Sequence, residues 1–301
     1  MRTITRRMLM TGTAGIVAAA LMPRWLHASV QMGGWQVDTL SDGNLVLPAD
    51  FIFGPAEDAD LAPILDRHGL TGAAQLTPPC NLTLLRGNGR VVLFDAGSGP
   101  GFQPSAGTLP DAMAALGVTP GEVTDVVFTH GHPDHLWGVL DDFDEPLFHG
   151  ARHYMGAGEL DYWRDPETVE TIGAARQAFA VGAARRLDAL DGIIETFDDG
   201  DEVVPGVQAV LTPGHTPGHM SFAVAGAMIL GDAIGNHHMA FEAPALPSGA
   251  DQDMDLGIET RLALFDRIIA DDMALIGFHL PAGGIGRAER AGGAYRFVPA
   301  G

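Results

Sequence analysis

The segment HGHPDH, residues 130–135, follows an apolar stretch and carries three histidines and one aspartate within six positions. Imidazole and carboxylate groups are the usual protein ligands of zinc and similar divalent ions. One face of a helix cannot present all four side chains, because alternate residues of a helix point to nearly opposite sides. In a tight loop after a strand, His130 and His132 can face one ion while Asp134 and His135 face another. The segment therefore predicts a metal site where a strand ends.

Three further candidate ligands each follow a later apolar segment. His215 comes after the residues VLTPG, Asp232 after AMILG and His279 after LIGF. Because a buried strand delivers the side chain at its end to the edge of its sheet, we expect these residues to meet the first cluster. Together the seven side chains are enough to hold two ions.

The order of apolar segments and turn residues predicts strands, then helices, then strands and a last helix. Two sheets packed together with helices outside would account for this order. The predicted strands and hairpins cover residues 35–47 with a turn at 41–44, 81–95, 123–129, 146–148, 195–197, 203–211, 221–230 and 274–278. The predicted helices cover residues 109–116, 157–163, 168–189 and 255–270. Residues 48–78 are rich in Pro, Gly and acids, and they predict an irregular excursion with a short helix at 60–68.

The composition favours one large domain and disfavours several classes of function. The chain has 301 residues, 46% of them hydrophobic, and no linker or short repeat divides it. Its 38 acidic and 17 basic residues give a net charge of −21, which would repel a phosphate backbone, so nucleic acid is not an expected partner. All the basic residues are arginines, which excludes lysine chemistry. Cys80 is the only cysteine, so an intramolecular disulfide is impossible, and we interpret it as a small buried apolar residue.

Residues 1–28 have the composition of an export signal. Three arginines precede an apolar stretch at 8–22, and the final LHA is an acceptable but imperfect cleavage site. The pair Arg6-Arg7 resembles a twin-arginine signal, and an ordinary secretory signal is the alternative. We therefore expect the export machinery to be a partner, residues 29–301 to form the functional domain, and the location to be periplasmic or secreted.

The combined motifs resemble those of the metallo-β-lactamase superfamily. Residues 130–135 match its HxHxDH signature, and its later motifs follow in order at 213–219 (PGHTPGH), 231–232 and 278–279, with FDAG at 94–97 before them. The resemblance extends over nearly all of the chain after the signal. It implies an α/β fold, a four-layer αββα sandwich of two mixed β-sheets with outer helices. It also implies a first metal held by His130, His132 and His215, a second held by Asp134, His135 and His279, and Asp232 as the bridge between them.

The export signal, the spacing from Asp95 to His130, the stretch 161–163 (DYW) and the stretch 278–281 (FHLP) resemble those of methyl parathion hydrolases and related lactonases within the superfamily. This resemblance implies two divalent metal ions, above all Zn²⁺, and a metal-bridging hydroxide that attacks an ester-like bond of a small molecule, such as a lactone, an aryl ester or a phosphotriester. Asp134 and Asp232 are the expected catalytic residues, because either could pass a proton to the leaving group. Trp163 is expected to line the substrate pocket, and the alternative is that it anchors a helix in the core.

Two other activities of the same fold are alternatives to this hydrolase. A mononuclear iron dioxygenase would need fewer ligands, and a β-lactam hydrolase usually lacks a bridging aspartate at the position of Asp232. We interpret His219 as orienting its own loop or supporting the metal ligands from behind. We interpret His237 and His238 as surface residues, and contact with the substrate is the alternative. A homodimer that uses the 48–78 excursion is a further hypothesis.

Overall fold

The computed structural model describes residues 26–300. Most of the predicted export signal, residues 1–25, lies outside the described residues, and its last three residues begin the first strand. Within 26–300, no helix combines the length and the apolar character needed to cross a membrane.

Sixteen strands in the described range form two large sheets and one small one. In chain order they are β1 (Leu26–Met32), β2 (Trp35–Asn44), β3 (Leu47–Pro48), β4 (Gln75–Leu76), β5 (Pro79–Gly87), β6 (Arg90–Phe94), β7 (Asp125–Val127), β8 (Arg152–Gly156), β9 (Ile194–Phe197), β10 (Glu202–Val204), β11 (Val207–Leu211), β12 (Met220–Val224), β13 (Ala227–Ile229), β14 (Ala274–Ile276), β15 (Ile285–Ala291) and β16 (Ala294–Pro299). The first sheet has the order β1-β2-β5-β6-β7-β8-β9 and the second runs from β10 to β16 in sequence, while β3 pairs with β4. Both large sheets are mixed, since β6 to β9 and the pair β13–β14 are parallel and the other neighbours are antiparallel.

The described residues also form nine α-helices. They are α1 (Ala49–Phe53), α2 (Asp58–Arg67), α3 (Leu109–Leu116), α4 (Pro133–Leu136), α5 (Ala157–Arg164), α6 (Thr168–Thr171), α7 (Gln177–Ala189), α8 (Met239–Glu242) and α9 (Met254–Ala270). Helices α3, α5 and α7 pack on the first sheet, and α8 and α9 pack on the second. The predicted four-layer αββα sandwich is therefore confirmed.

The central layer of the core lies between the two sheets. Phe94 of β6 and Phe222 of β12 are both buried there, with ring centroids 5.1 Å apart. Successive side chains of a strand point to opposite faces of the sheet. In β5, Leu84 accordingly packs under the helices, while Leu85 packs against the second sheet. Each large apolar side chain buried in this way contributes about 1.5–3 kcal/mol, so the two sheets are held together mainly by apolar contact.

Local signals place several elements where the sequence predicts them. The hairpin of β5 and β6 turns at Asn88 and Gly89, both with positive φ, as a two-residue hairpin turn requires. Helix α3 covers the predicted 109–116 and ends at Gly117, whose φ is +74°. Helix α9 begins after Asp253, whose side chain accepts a hydrogen bond from the backbone N–H of Leu256. Cys80 is buried among apolar side chains as predicted, and burial raises the pKa of its thiol to about 12.

The predicted turn at residues 41–44 is wrong. Strand β2 continues through it with an irregular register, and the hairpin turn lies earlier, at residues 33–34 between β1 and β2. The glycine and the aspartate of this stretch instead make close contacts with other segments. Gly43 approaches the Ser105 carbonyl so closely that a Cβ would lie 2.1 Å from its oxygen, and the Asp42 carboxylate accepts the backbone N–H of Ser98 and Leu109.

Three other predicted strands need correction. The stretch 203–211 is a hairpin of β10 and β11, because Gly206, with a φ of +81°, turns the chain between them. Residues 146–148 form only a bridge at Pro146, and the strand of this region is β8. Strand β14 is not the last one, since the hairpin of β15 and β16 completes the second sheet.

Candidate metal centre and substrate pocket

The candidate ligands meet at one end of the two sheets. The parallel strands β6 and β7 end at Asp95 and at the 128–135 segment, and the parallel strands β13 and β14 lead to Asp232 and His279. His215 lies in the loop between β11 and β12. Because parallel strands end at the same edge of a sheet, this topology gathers residues that are far apart in the sequence.

The three-histidine group consists of His130, His132 and His215, all of them buried. The Nδ1 of His132 lies 3.0 Å from the Nε2 of His130 and 2.9 Å from the Nε2 of His215. Burial, together with the neighbouring histidines, lowers the pKa of His130 and of His132 well below the usual value. The imidazoles of His130 and His132 are therefore neutral, and the neutral form is the one that binds a metal ion.

The second group consists of Asp134, His135, Asp232 and His279. The Nε2 of His135 lies 3.5 Å from Asp134 and 3.3 Å from Asp232, and the Nε2 of His279 lies 3.3 Å from each carboxylate. Burial lowers the pKa of His135, but the carboxylates of Asp232 and Asp134 outweigh it and raise the pKa to about 10. The same balance raises the pKa of His279. A cation bound here would take the place of the protons that these carboxylates hold on the two imidazoles.

Unpaired buried atoms show that a divalent cation fits here. Asp134 Oδ2, His135 Nε2 and Asp232 Oδ1 are buried and have no hydrogen-bond partner among the described residues. Leaving a buried polar atom unpaired costs about 1–3 kcal/mol. Imidazole nitrogen and carboxylate oxygen are ligands for zinc and related metals. The family fold together with these two groups indicates divalent metal ions.

Asp232 lies between the two groups. Its Oδ2 is 3.4 Å from the Nε2 of His215 in the three-histidine group and 3.3 Å from the Nε2 of His279 in the second group. Burial raises the pKa of Asp232, but the adjacent His279 and His135 outweigh it and hold the pKa well below its usual value. An ionised carboxylate in this position can contact an ion in each group, as the resemblance implies.

Hydrogen bonds on the far side of the rings orient three of the histidines. The Nδ1 of His135 donates to Asp95 Oδ2 at 2.8 Å, and the Nδ1 of His279 donates to the carbonyl of Pro79 at 2.8 Å. The Thr129 hydroxyl donates to Asp95 and so can accept from the Nδ1 of His130 at 3.0 Å. In each ring the hydrogen bond at Nδ1 turns Nε2 towards the centre of the site, where its lone pair would bind a metal ion.

His219 supports Asp232 and belongs to neither of the two candidate metal groups. Its Nε2 accepts the backbone N–H of Asp232 at 3.0 Å, and its Nδ1 lies 2.8 Å from the Thr212 hydroxyl. Burial lowers the pKa of His219 well below the usual value, so the ring is neutral and can accept this bond. This contact agrees with the interpretation that His219 orients its surroundings.

The structure places Trp163 away from the predicted position in the pocket wall. Its side chain is 1% exposed and does not line the cavity. The indole N–H donates to Glu159 at 2.6 Å, and the ring packs beside His132 with centroids 5.7 Å apart. Trp163 therefore anchors α5 in the core. Trp163 does not line the cavity because the face of α5 that carries it packs against the loops of the three-histidine group.

A cavity of about 570 Å³ opens onto the metal groups. His132, Asp134, His215, Asp232 and His279 contribute to its wall. The remaining wall is largely apolar. Phe51, Ile52 and Leu70 come from the 48–78 excursion, Leu47 from β3, Phe102 from the loop between β6 and α3, and Phe179 from α7. His237 and His238 also line the cavity, which corrects their interpretation as surface residues.

Sequence reasoning missed several residues that support the site. Glu159 contacts the loops of the three-histidine group, and Asp251 Oδ1 lies 3.4 Å from the Nδ1 of His215. Tyr162 donates to the amide oxygen of Gln252, whose Nε2 lies 3.4 Å from His132. The one sequence signal for Glu159 is an acid four residues before a tryptophan in a predicted helix, which is too common to single out.

Comparisons with known proteins agree with this geometry. The model of the metallo-beta-lactamase superfamily matches residues 77–272. The hydroxyacylglutathione hydrolase of Fuscovulum blasticum is 29% identical over 164 residues, 53% of this chain and 51% of the relative. The N-acyl homoserine lactonase AttM of Agrobacterium fabrum is 30% identical over 117 residues, 38% of this chain and 40% of the relative. The chain thus spans about half or less of these curated relatives.

Solved structures extend the likeness to the whole fold. The dizinc quorum-quenching lactonase AidC has a TM-score of 0.83 at 20% identity, and the hydrolase AbOPH of the beta lactamase superfamily has a TM-score of 0.82 at 26% identity. Each comparison covers 91% of this chain and 97% of the other. Since the family model covers more than half of the sequence and the fold agrees, this chain belongs to the metallo-β-lactamase superfamily, in which its relatives and structural neighbours are metal-dependent hydrolases.

Proposed function

We propose that this protein hydrolyses an ester-like bond of a small molecule with two divalent metal ions, Zn²⁺ in the first instance. The position of Asp232, within 3.4 Å of ligand atoms from both groups, is the observation that carries the proposal. A single ion would leave one complete set of buried ligand atoms without a partner. Two ions bound there would lower the pKa of a shared water towards neutrality and polarise the substrate oxygen.

The protein's own residues would hold the reacting groups and move a proton. Asp134 Oδ2 lacks a hydrogen-bond partner within the described part of the chain, and Asp134 lines the cavity. With this oxygen on a metal ion, the other carboxylate oxygen of Asp134 could accept a proton and return it to the leaving group. Asp232 is the second candidate for this role. The apolar wall excludes water around the ester-like bond and strengthens these interactions.

The cavity supports a compact, largely apolar substrate. A volume of about 570 Å³ suits a small molecule, and the net charge of −21 disfavours polyanions. The lactonase relative at 30% identity makes a lactone the first candidate, with aryl esters and phosphotriesters next.

Metal analysis and a substrate screen test this proposal together. We expect two equivalents of zinc or a similar divalent ion in the purified protein, and turnover of at least one of a panel of lactones, aryl esters and organophosphates. Turnover should stop with a chelator and return with the metal. One equivalent of iron together with oxygen consumption would refute the proposal in favour of a dioxygenase, and turnover confined to β-lactams would refute the choice of substrate.

We also propose that residues 1–28 direct export by the twin-arginine route to the periplasm or outside the cell. The support is the Arg6-Arg7 pair before an apolar stretch. Fractionation of cells that carry the wild-type chain or an Arg6→Gln/Arg7→Gln variant tests it, because the variant should stay in the cytoplasm. Unchanged export of the variant would favour the ordinary secretory route. A homodimer stays a prediction that light scattering can decide.

A further inference from the structure

Glu159, in the first turn of α5, is a fully buried carboxylate outside the two metal groups. Both of its oxygens are saturated by hydrogen bonds. Oε1 accepts the backbone N–H of Gly131 at 2.9 Å and the indole N–H of Trp163 at 2.6 Å. Oε2 accepts the Thr216 hydroxyl at 2.8 Å and the backbone N–H of Gly218 at 3.0 Å. A buried charge persists only where such donors compensate for lost water.

These donors belong to the two loops that supply the three-histidine group. Gly131 lies between His130 and His132, and Thr216 directly follows His215. One loop follows a strand of the first sheet and the other joins two strands of the second. A single carboxylate therefore ties together two segments that the sequence separates by more than 80 positions. The ligands of the second group receive no hydrogen bond from Glu159 in the described chain.

Close packing fixes the carboxylate between the loops. A Cβ added to Gly131 would lie 2.4 Å from the indole nitrogen of Trp163, and one added to Gly218 would lie 2.2 Å from the backbone nitrogen of Glu159. Neither loop has space to shift towards α5. The position of the Glu159 carboxylate therefore sets the position of the backbone beside these histidines.

We infer that Glu159 is a positioning residue that sets the geometry of the three-histidine group and hence the affinity of that group, and not of the second group, for its metal ion. The inference rests on the two-metal centre proposed above. It extends that proposal to a residue that, among the described residues, hydrogen-bonds to no metal-ligand side chain and does not line the cavity.

The variant Glu159→Gln tests this inference with a minimal change of shape. A glutamine amide keeps one accepting oxygen and places an NH₂ group against two donors. The Thr216 hydroxyl can rotate and accept from this NH₂, so the stable orientation leaves the N–H of Gly218 unpaired. The loop that carries His215 should therefore loosen.

Metal transfer to a chromogenic chelator measures the effect without using turnover. Loss of an outer hydrogen-bond partner typically lowers metal affinity about 10- to 100-fold. We expect this loss for one of the two ions in Glu159→Gln, and a smaller loss in Thr216→Val, which removes one donor and keeps the carboxylate. If Glu159→Gln does not fold, the same measurement on Thr216→Val still tests the inference.

The matched control is Asp125→Asn. Asp125 is likewise fully buried, and its carboxylate is bonded to Arg90, Arg152 and Thr124 at the opposite end of β7. This variant should lose thermal stability but retain both ions with wild-type affinity. If Glu159→Gln and Thr216→Val both retain two ions as tightly as the wild type, Glu159 has only a structural role and the inference is wrong. If the wild-type protein itself binds no divalent ion, the proposed function fails together with it.

Discussion

Asp95 is the residue at which a change of one functional group should affect metal binding most directly. Its Oδ2 accepts the Nδ1 proton of His135 at 2.8 Å, and its Oδ1 accepts the backbone N–H of Thr129 at 2.7 Å. In an Asp95→Asn variant only one oxygen remains. If it stays with Thr129, the amide NH₂ faces the Nδ1 of His135, which must then accept a hydrogen bond. The ring proton moves to Nε2, the nitrogen that faces the second metal group.

The loss of metal affinity in Asp95→Asn follows from the strength of the bond between Asp95 and His135. Removing an outer partner of a metal-binding histidine typically costs 10- to 100-fold in affinity, which corresponds to about 1.4–2.8 kcal/mol. A hydrogen bond to a charged group contributes about 1.5–3 kcal/mol. Water cannot replace the lost bond, because the side chains of His135 and Asp95 are only 0% and 2% exposed. We therefore expect a loss of at least tenfold.

Competition with a chelator, followed for each ion separately, measures this loss. The control is Asp38→Asn, which alters another buried carboxylate, bonded to Arg86 and Ser29 in the first sheet. We expect weaker binding at one site in Asp95→Asn and unchanged binding in Asp38→Asn. Two ions held with wild-type affinity in Asp95→Asn would show that the tautomer of His135 does not depend on Asp95, and would refute the reasoning.

Three further predictions concern the bridge, the pH response and the core. Asp232→Asn should lower kcat roughly 100-fold or more, because a bridging charge worth several kcal/mol is lost; steady-state kinetics and metal content check this, and near-normal turnover would contradict it. In the metal-free protein, burial lowers the pKa of His135 but the adjacent carboxylates raise it from 6.5 to about 10. Its stabilising contribution is therefore complete below pH 6.5 and is lost as the pH rises to about 10, so the melting temperature measured with a chelator present should fall over that range. A melting temperature that rises with pH there would oppose this sign. Phe222→Ala should lower the free energy of unfolding by about 3–5 kcal/mol, since Phe222 is fully buried between the sheets; urea denaturation measures it, and a loss below about 1 kcal/mol would show that the core closes around the cavity.

The metal centre could be predicted largely because its signals are local. Residues 130–135 carry four ligand-type side chains in one loop, and each later candidate directly follows an apolar stretch. Helices α3 and α9 were predictable for the same reason, since their periodicity and their ends at Gly117 and Asp253 lie within a few residues. Strand β2 was not, because its Ser, Asp, Gly and Asn residues have the composition of a turn, while its contacts with Ser98 and Ser105 come from more than 50 positions later.

The sequence alone therefore predicted the layered fold and a metal site around His130–His135, since both follow from chemistry or periodicity within short stretches, and the resemblance of its motifs indicated the family. Only the tertiary structure decided which residues support that site. Trp163 faces the loops and not the cavity, and Glu159 joins segments from both sheets. Both outcomes depend on the packing of α5 against loops distant in the chain, and a contact between distant residues leaves no pattern in either local stretch.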